Sequence, residues 1–181
     1  LKTNDGGINW NIQSSPANYL EKIFFQNETT GWVYGSTHIS SNIYMTTDGG
    51  ETWVQSVNAG DYSISDFHFV DNLNGWAVGN GDILHTNNGG LNWTVQKSGL
   101  TDYLQSVYFI DFQTGWAAGN NGSILKTING GVDWIPQSPR ITESLSSVRC
   151  VDNLNGWACN YYSLYRTTDG GTTWEYYDNG A

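Results

Sequence analysis

All nine tryptophans of this 181-residue chain fall in two short motifs that recur in step along its length. The first is Thr-x-Asp/Asn-Gly-Gly-x-x-Trp, at Thr3–Trp10, Thr46–Trp53, Thr86–Trp93, Thr127–Trp134 and Thr167–Trp174. Its Trp returns after 43, 40, 41 and 40 residues. The second is Gly-Trp, at Gly31-Trp32, Gly75-Trp76, Gly115-Trp116 and Gly156-Trp157, at intervals of 44, 40 and 41. Two motifs locked to one period of about 40 residues mark a repeat architecture, with one supersecondary unit per repeat.

Each unit reads as four short strands. In the third repeat, Leu104–Asp111 alternates apolar and polar residues, and Gly115–Gly119, Ser123–Thr127 and Val132–Gln137 follow, separated by Gly, Asn and Asp. Short strands at regular spacing, with no helical period and no heptads, make the chain all-β. Four-stranded antiparallel units of this length, repeated about an axis, are the blades of a β-propeller.

The first motif suits a tight hairpin. The Asp or Asn side chain can bond turn N–H groups, as can the Thr hydroxyl, and Gly supplies the positive φ that other residues resist. Its Trp then folds a large ring against the hairpin, with an N–H that needs a partner. The structural set is Thr3, Asp5, Gly7, Trp10; Thr46, Asp48, Gly50, Trp53; Thr86, Asn88, Gly90, Trp93; Thr127, Asn129, Gly131, Trp134; and Thr167, Asp169, Gly171, Trp174. The Trp of Gly-Trp begins a strand expected to pack between blades.

The first motif is the Asp-box (BNR-like) repeat. Together with Val107–Asp111, Gly115-Trp116-Ala117-Ala118-Gly119 and Gly122–Thr127 it resembles the propeller repeat of the photosystem II stability/assembly factor-like family, over nearly the whole chain. The Asp-box is shared with sialidases, xyloglucanases and sortilin-type receptors, whereas the Gly-Trp-Ala-x-Gly companion favours the assembly-factor-like group. In that family the box is a fold element on the outer side of the blade. The resemblance therefore implies architecture and supplies no catalytic residue.

Residues 1–15 read as the outer strands of a partial blade, and four complete blades follow at 19–57, 63–98, 103–138 and 144–178, all in one propeller region. Two arrangements stay open: a piece of a larger propeller, favoured because the chain starts inside a hairpin motif, or a small ring closed by the N-terminal strand. Exposed apolar blade edges would then invite a protein partner or self-association.

Composition narrows the partners. Seven Lys and Arg stand against 17 Asp and Glu, a formal charge of −10. A phosphate backbone recruits cations, so no nucleic-acid partner is expected. No apolar run approaches the roughly 20 residues of a membrane helix, so no membrane insertion is expected.

Positions that every repeat shares serve packing, so a site is sought where the repeats differ. On strand A one position reads Phe24, His68, Tyr108, Arg149 and another Lys22, Asp66, Ser106, Ser147. Strand A is innermost, so these are expected to ring the channel or one of its mouths. The loop between the second and third strands also varies, with Tyr161 and Tyr162 in the last repeat and His38 on an enlarged loop in the first. His38, His68, Tyr108, Arg149, Tyr161 and Tyr162 are thus the candidate partner-contacting residues, weighed against plain space-filling.

No catalytic set emerges. Most carboxylates are committed to turns or stand singly, and Arg140, Arg149 and Arg166 all fall in or near the last blade instead of converging from several. No His/Cys pair has zinc spacing, and the Asp/Asn-rich turns lack a calcium loop. No cofactor or metal is expected. Cys150 and Cys159 flank one short turn, in one reading cross-strand partners able to form a disulfide, in another two buried thiols. A disulfide, with low Lys and abundant Asn, Gly, Ser and Thr, would suit an extracellular or periplasmic protein. The leading expectation is a non-catalytic binding or assembly scaffold that docks a protein or polymer. The alternative is a fragment of a sialidase- or xyloglucanase-type glycoside hydrolase that binds carbohydrate through Tyr161 and Tyr162.

Overall fold

A computed structural model describes residues 1–37, 41–56, 63–97, 99–137 and 141–177. The alternating patterns pair up locally, each strand with the next in the chain, giving four antiparallel four-stranded sheets among the described residues. Blade 1 holds β1 (Tyr19–Phe25), β2 (Gly31–Ser36), β3 (Ser41–Thr46) and β4 (Val54–Gln55). Blade 2 holds β5 (Ile64–Phe69), β6 (Gly75–Gly79), β7 (Ile83–Thr86) and β8 (Thr94–Lys97). Blade 3 holds β9 (Leu104–Phe109), β10 (Gly115–Gly119), β11 (Ile124–Thr127) and β12 (Ile135–Pro136). Blade 4 holds β13 (Ser147–Cys150), β14 (Gly156–Cys159), β15 (Leu164–Thr167) and β16 (Glu175–Tyr176). The innermost strands β5, β9 and β13 lie side by side, so successive sheets stack face to face as propeller blades.

Strand ends follow from hydrogen bonds. In blade 3 the inner strand stops at Phe109, because Ile110 N–H bonds Thr114 O and the Asp111 carboxylate takes the N–H groups of Gln113 and Thr114. Asp71 and Asp152 cap the equivalent turns in the same way. The outer strand of blade 3 is shorter than its apolar pattern predicts. The N–H groups of Val132 and Asp133 are taken by Asn129, leaving only Ile135–Pro136 for the ladder.

The five hairpin motifs are closed units. Each Thr hydroxyl donates to the Asp or Asn Oδ1 two residues on, at 2.7–3.0 Å, and accepts the N–H of the second Gly at 2.8–2.9 Å. The same Oδ1 accepts the N–H four residues on, at 2.9–3.0 Å. These bonds favour the ionised acid and hold the Asp5 and Asp169 carboxyls down at about 2, with the Asn9 and Thr173 N–H groups the leading causes. Both Gly positions have positive φ in all five. The indole N–H is the exception to expectation: Trp10 donates to Gly7 O, but those of Trp53, Trp93, Trp134 and Trp174 have no partner among the described residues.

Among the described residues the core lies between blades, in three clusters. Trp32 of blade 1 stacks on Phe69 of blade 2 at 3.7 Å between centroids, and Trp76 on Phe109 of blade 3 at 3.6 Å. Trp93 and Trp134 meet the same phenyl rings edge-on. Such stacks add about 1 kcal/mol each beyond the area they bury. The Gly of Gly-Trp has a packing reason as well as a turn role. Gly75 and Gly115 pair with Phe69 and Phe109 across the ladder, and a Cβ would stand 2.5–2.6 Å from those rings.

The disulfide expectation is corrected. Cys150 pairs with Gly156 and Cys159 with Ser147, at opposite ends of the β13–β14 ladder, so the two thiols are not cross-strand neighbours. Both are free. Cys150 takes the place of Phe69 and Phe109 and lies over Gly156. Burial pushes its thiol up to about 12, so it is a packing group and a poor nucleophile.

Candidate functional site

The variable positions of the inner strands form two rows across the blades, the first through all four and the second through Lys22, Asp66 and Ser106, with Val148 N–H and Arg149 meeting it from blade 4 in place of Ser147. Phe24, His68, Tyr108 and Arg149 pair respectively with Trp32, Trp76, Trp116 and Trp157, the Gly-Trp indoles of their own blades. Across blades they also touch each other. Phe24 lies 5.7 Å from His68, His68 lies 4.5 Å from Tyr108, and the Arg149 guanidinium sits 5.2 Å from the Tyr108 ring. The row is an aromatic stack capped by a cation. Phe24, His68 and Tyr108 are half-buried and Arg149 is exposed, so the row presents an edge to solvent.

The second row is polar. Lys22 Nζ pairs with Asp66 Oδ1 at 2.7 Å, and Asp66 Oδ2 accepts from Ser106 Oγ at 3.0 Å and from Val107 N–H at 3.2 Å. Ser106 Oγ in turn accepts from Val148 N–H and from Arg149, at 3.3 and 3.1 Å. Buried Asp66 is thereby saturated by a cation, a hydroxyl and amides, and is held as structure instead of being presented to a substrate. Lys22 and Asp66 at equivalent positions of successive repeats were the legible signal for this pairing; the four-blade relay was not legible.

His68 is held neutral by burial and by the neighbouring Arg149 charge. Its Nδ1 accepts Phe109 N–H at 3.3 Å. Burial, then the Arg149 charge, push it down to about 4, against a smaller opposing pull from Asp66. A group uncharged at neutral pH suits packing and hydrogen-bond acceptance.

The other candidates lie elsewhere. Tyr161 and Tyr162 form the tip of the β14–β15 turn, 95% and 94% exposed, with ring centroids 6.5 Å apart. Asn160 Oδ1 holds that turn through the N–H groups of Tyr162 and Ser163. His38 and Arg140 lie outside the described residues. Arg166 sits over Trp157 at 5.8 Å, so Arg149 and Arg166 flank one half-buried indole on blade 4. Among the described residues, no group of three His, Cys, Asp or Glu is placed to hold a metal ion. Asp102 accepts from Asn121, and Glu143 from the Tyr165 hydroxyl.

One feature was not legible from the repeats. The carbonyl of the first Gly in each hairpin of blades 1 to 4 receives a donor from the preceding unit. Gly49 O takes Lys2 Nζ, Gly89 O takes Trp32 Nε1, Gly130 O takes Trp76 Nε1, and Gly170 O takes Lys126 Nζ.

A family model described as photosynthesis system II assembly factor YCF48 matches residues 56–178. Among solved structures, YCF48 bound to D1 peptide is similar at TM-score 0.69 and 21% identity, over 89% of this chain and 55% of that one. YCF48 from Cyanidioschyzon merolae gives 0.68 and 21%, over 90% and 57%. An ancestral GH74 enzyme gives 0.72 at 13% identity, over 90% and 24%. The chain thus spans a little over half the length of these YCF48 structures. At these identities the likeness establishes the propeller fold. No curated protein sequence matches the chain.

Proposed function

The chain belongs to the family of the photosynthesis system II assembly factor YCF48, and from that premise we propose that it is a non-catalytic docking scaffold for an extended protein segment. The observation that carries this reading is the inner-strand row Phe24–His68–Tyr108–Arg149, where the repeats diverge into an aromatic stack ended by a guanidinium. Aromatic and Arg side chains are the usual anchors of protein interfaces. They stand here on a frame fixed by the Lys22–Asp66–Ser106 relay, which keeps the surface preorganised.

The test introduces a photo-crosslinking phenylalanine analogue at Tyr108 and compares the captured proteins with those taken by an Arg149→Ala variant of the same protein. A defined captured protein, lost in the variant, is the expected result. Capture that ignores Arg149, or no capture at all, removes the reading. The exposed Tyr161–Tyr162 pair is the observation that favours carbohydrate binding instead. A glycan-array signal abolished by Tyr161→Ala/Tyr162→Ala would put that reading first.

A further inference from the structure

Asparagine followed by glycine is prone to a covalent change of its own, because the glycine amide has no side chain to shield its attack on the asparagine carboxamide. Six such asparagines lie among the described residues: Asn74, Asn80, Asn88, Asn121, Asn129 and Asn155. Five of them are held by their carboxamides. Asn74 and Asn155 donate to Asp71 and Asp152, and Asn121 donates to Asp102 at 2.8 Å. The hairpin residues Asn88 and Asn129 accept from Thr86 and Thr127 and from the N–H four residues on. In those two hairpins the glycine amide is taken as well, by Leu73 O at 2.9 Å and Gln113 O at 2.8 Å.

Asn80 is the exception. It is exposed in the β6–β7 turn of blade 2, and its carboxamide has no partner among the described residues. Backbone bonds hold the turn. Asn80 N–H donates to Ser63 O at 3.2 Å, Leu100 N–H donates to Gly81 O at 3.1 Å, and Gly81 N–H reaches Gly79 O, two residues back, at 2.7 Å. The residue after Asn80 has to be glycine, because φ is +79° there and a Cβ would stand 2.5 Å from Leu100 O. The fold thus requires, next to the one free carboxamide of the six, the residue that leaves the attacking amide open. Gly81 is itself buried, but the attack is internal to the pair and the leaving group departs on the exposed Asn80 side.

We propose that Asn80 is a site of spontaneous deamidation in the folded protein. The Gly81 nitrogen bonds to Asn80 Cγ while its proton passes to water. The Cγ–Nδ2 bond breaks, ammonia leaves, and a five-membered succinimide remains. Water then opens the ring. Cleavage of the new Cγ–N bond gives an aspartate at position 80, and cleavage of the original peptide C–N bond gives an isoaspartate, whose main chain runs through the extra methylene. Nothing is oxidised or reduced. Either product adds one negative charge two residues from Asp82, and the isoaspartate lengthens the turn that Ser63 and Leu100 hold.

The test ages the intact chain at mildly alkaline pH, digests it at intervals, and follows each Asn-Gly peptide by mass spectrometry for the exchange of amide for acid. A hydrogen bond that must open first slows the reaction about tenfold. Asn80 should therefore convert about tenfold faster than Asn121, with its single bond to Asp102, and should lead the other four as well. Asn80→Gln should abolish the mass gain in that peptide. In the chain unfolded in urea the six rates should converge, since nothing then holds their carboxamides. The proposal is overturned by an unchanged Asn80 in the folded chain or by another of the six converting first. An equal lead for Asn80 in the unfolded chain also overturns it, because its neighbours in sequence, and not the fold, would then set the rate.

Discussion

The junction between blades 2 and 3 and that between blades 3 and 4 share one plan and differ in one ring. In the former, Trp76 stacks on Phe109 and its N–H reaches Gly130 O at 3.1 Å. In the latter Cys150 replaces the phenyl ring, the Trp116 N–H has no partner among the described residues, and Lys126 takes Gly170 O at 2.7 Å instead. The glycine carbonyl is therefore the fixed point of a junction, and the donor that reaches it is exchangeable. A repeat array tolerates such exchange because each blade answers only to its neighbours.

The sharpest test of this difference is truncation of the two indoles. Trp76→Ala should cost about 4 kcal/mol in urea unfolding, the range for deleting a buried aromatic ring. Trp116→Ala should cost about 1 kcal/mol less, for want of a stacked ring and a bonded N–H. Equal losses would mean that stacking and the glycine contact contribute nothing particular.

Acid should open the first junction before the second. Neutral His68 accepts Phe109 N–H across it, and its folded value of about 4 lies below the ordinary 6.5. Its contribution is complete above pH 6.5 and is lost as the pH falls to about 4, with a loss of about 2–3 kcal/mol. Arg149 and Lys22 oppose the proton and Asp66 favours it. Hydrogen exchange at Phe109 should rise over this range in the natural chain, and a His68→Phe variant should remove the pH dependence. An unchanged profile in that variant would assign the acid sensitivity elsewhere.

The smallest effect is the most pointed. Cys150→Phe restores the ring that Phe69 and Phe109 supply, above a glycine, Gly156, that leaves room for it. A gain of about 1 kcal/mol is expected from the added buried ring, read as a higher thermal midpoint. A loss would show that blade 4 has closed around the thiol.

Much of the fold was legible because its information is local. Thr127, Asn129, Gly131 and Asp133 close their hairpin within six residues of one another, so the motif announces its turn wherever it occurs. The His68, Tyr108 and Arg149 positions could be aligned from the Gly-Trp register. The spacing of Cys150 and Cys159 misled, because a turn of that length could be closed in more than one register, and the ladder pairs Cys150 with Gly156. Lys2 and Lys126 carried no signal of their own, since a lysine before a threonine is unremarkable until its target is in place.

The sequence by itself determined the number and kind of blades among these residues, their antiparallel order and the chemistry of their hairpins. These rest on a period of about 40 residues and on bonds between near neighbours in the chain. Only the tertiary structure decided which donor meets each glycine carbonyl, that Asp66 is locked by Lys22 and Ser106, and that the thiols stand apart. Those contacts join residues 40 to 57 apart, and the meeting of side chains at that separation is set by how the sheets stack.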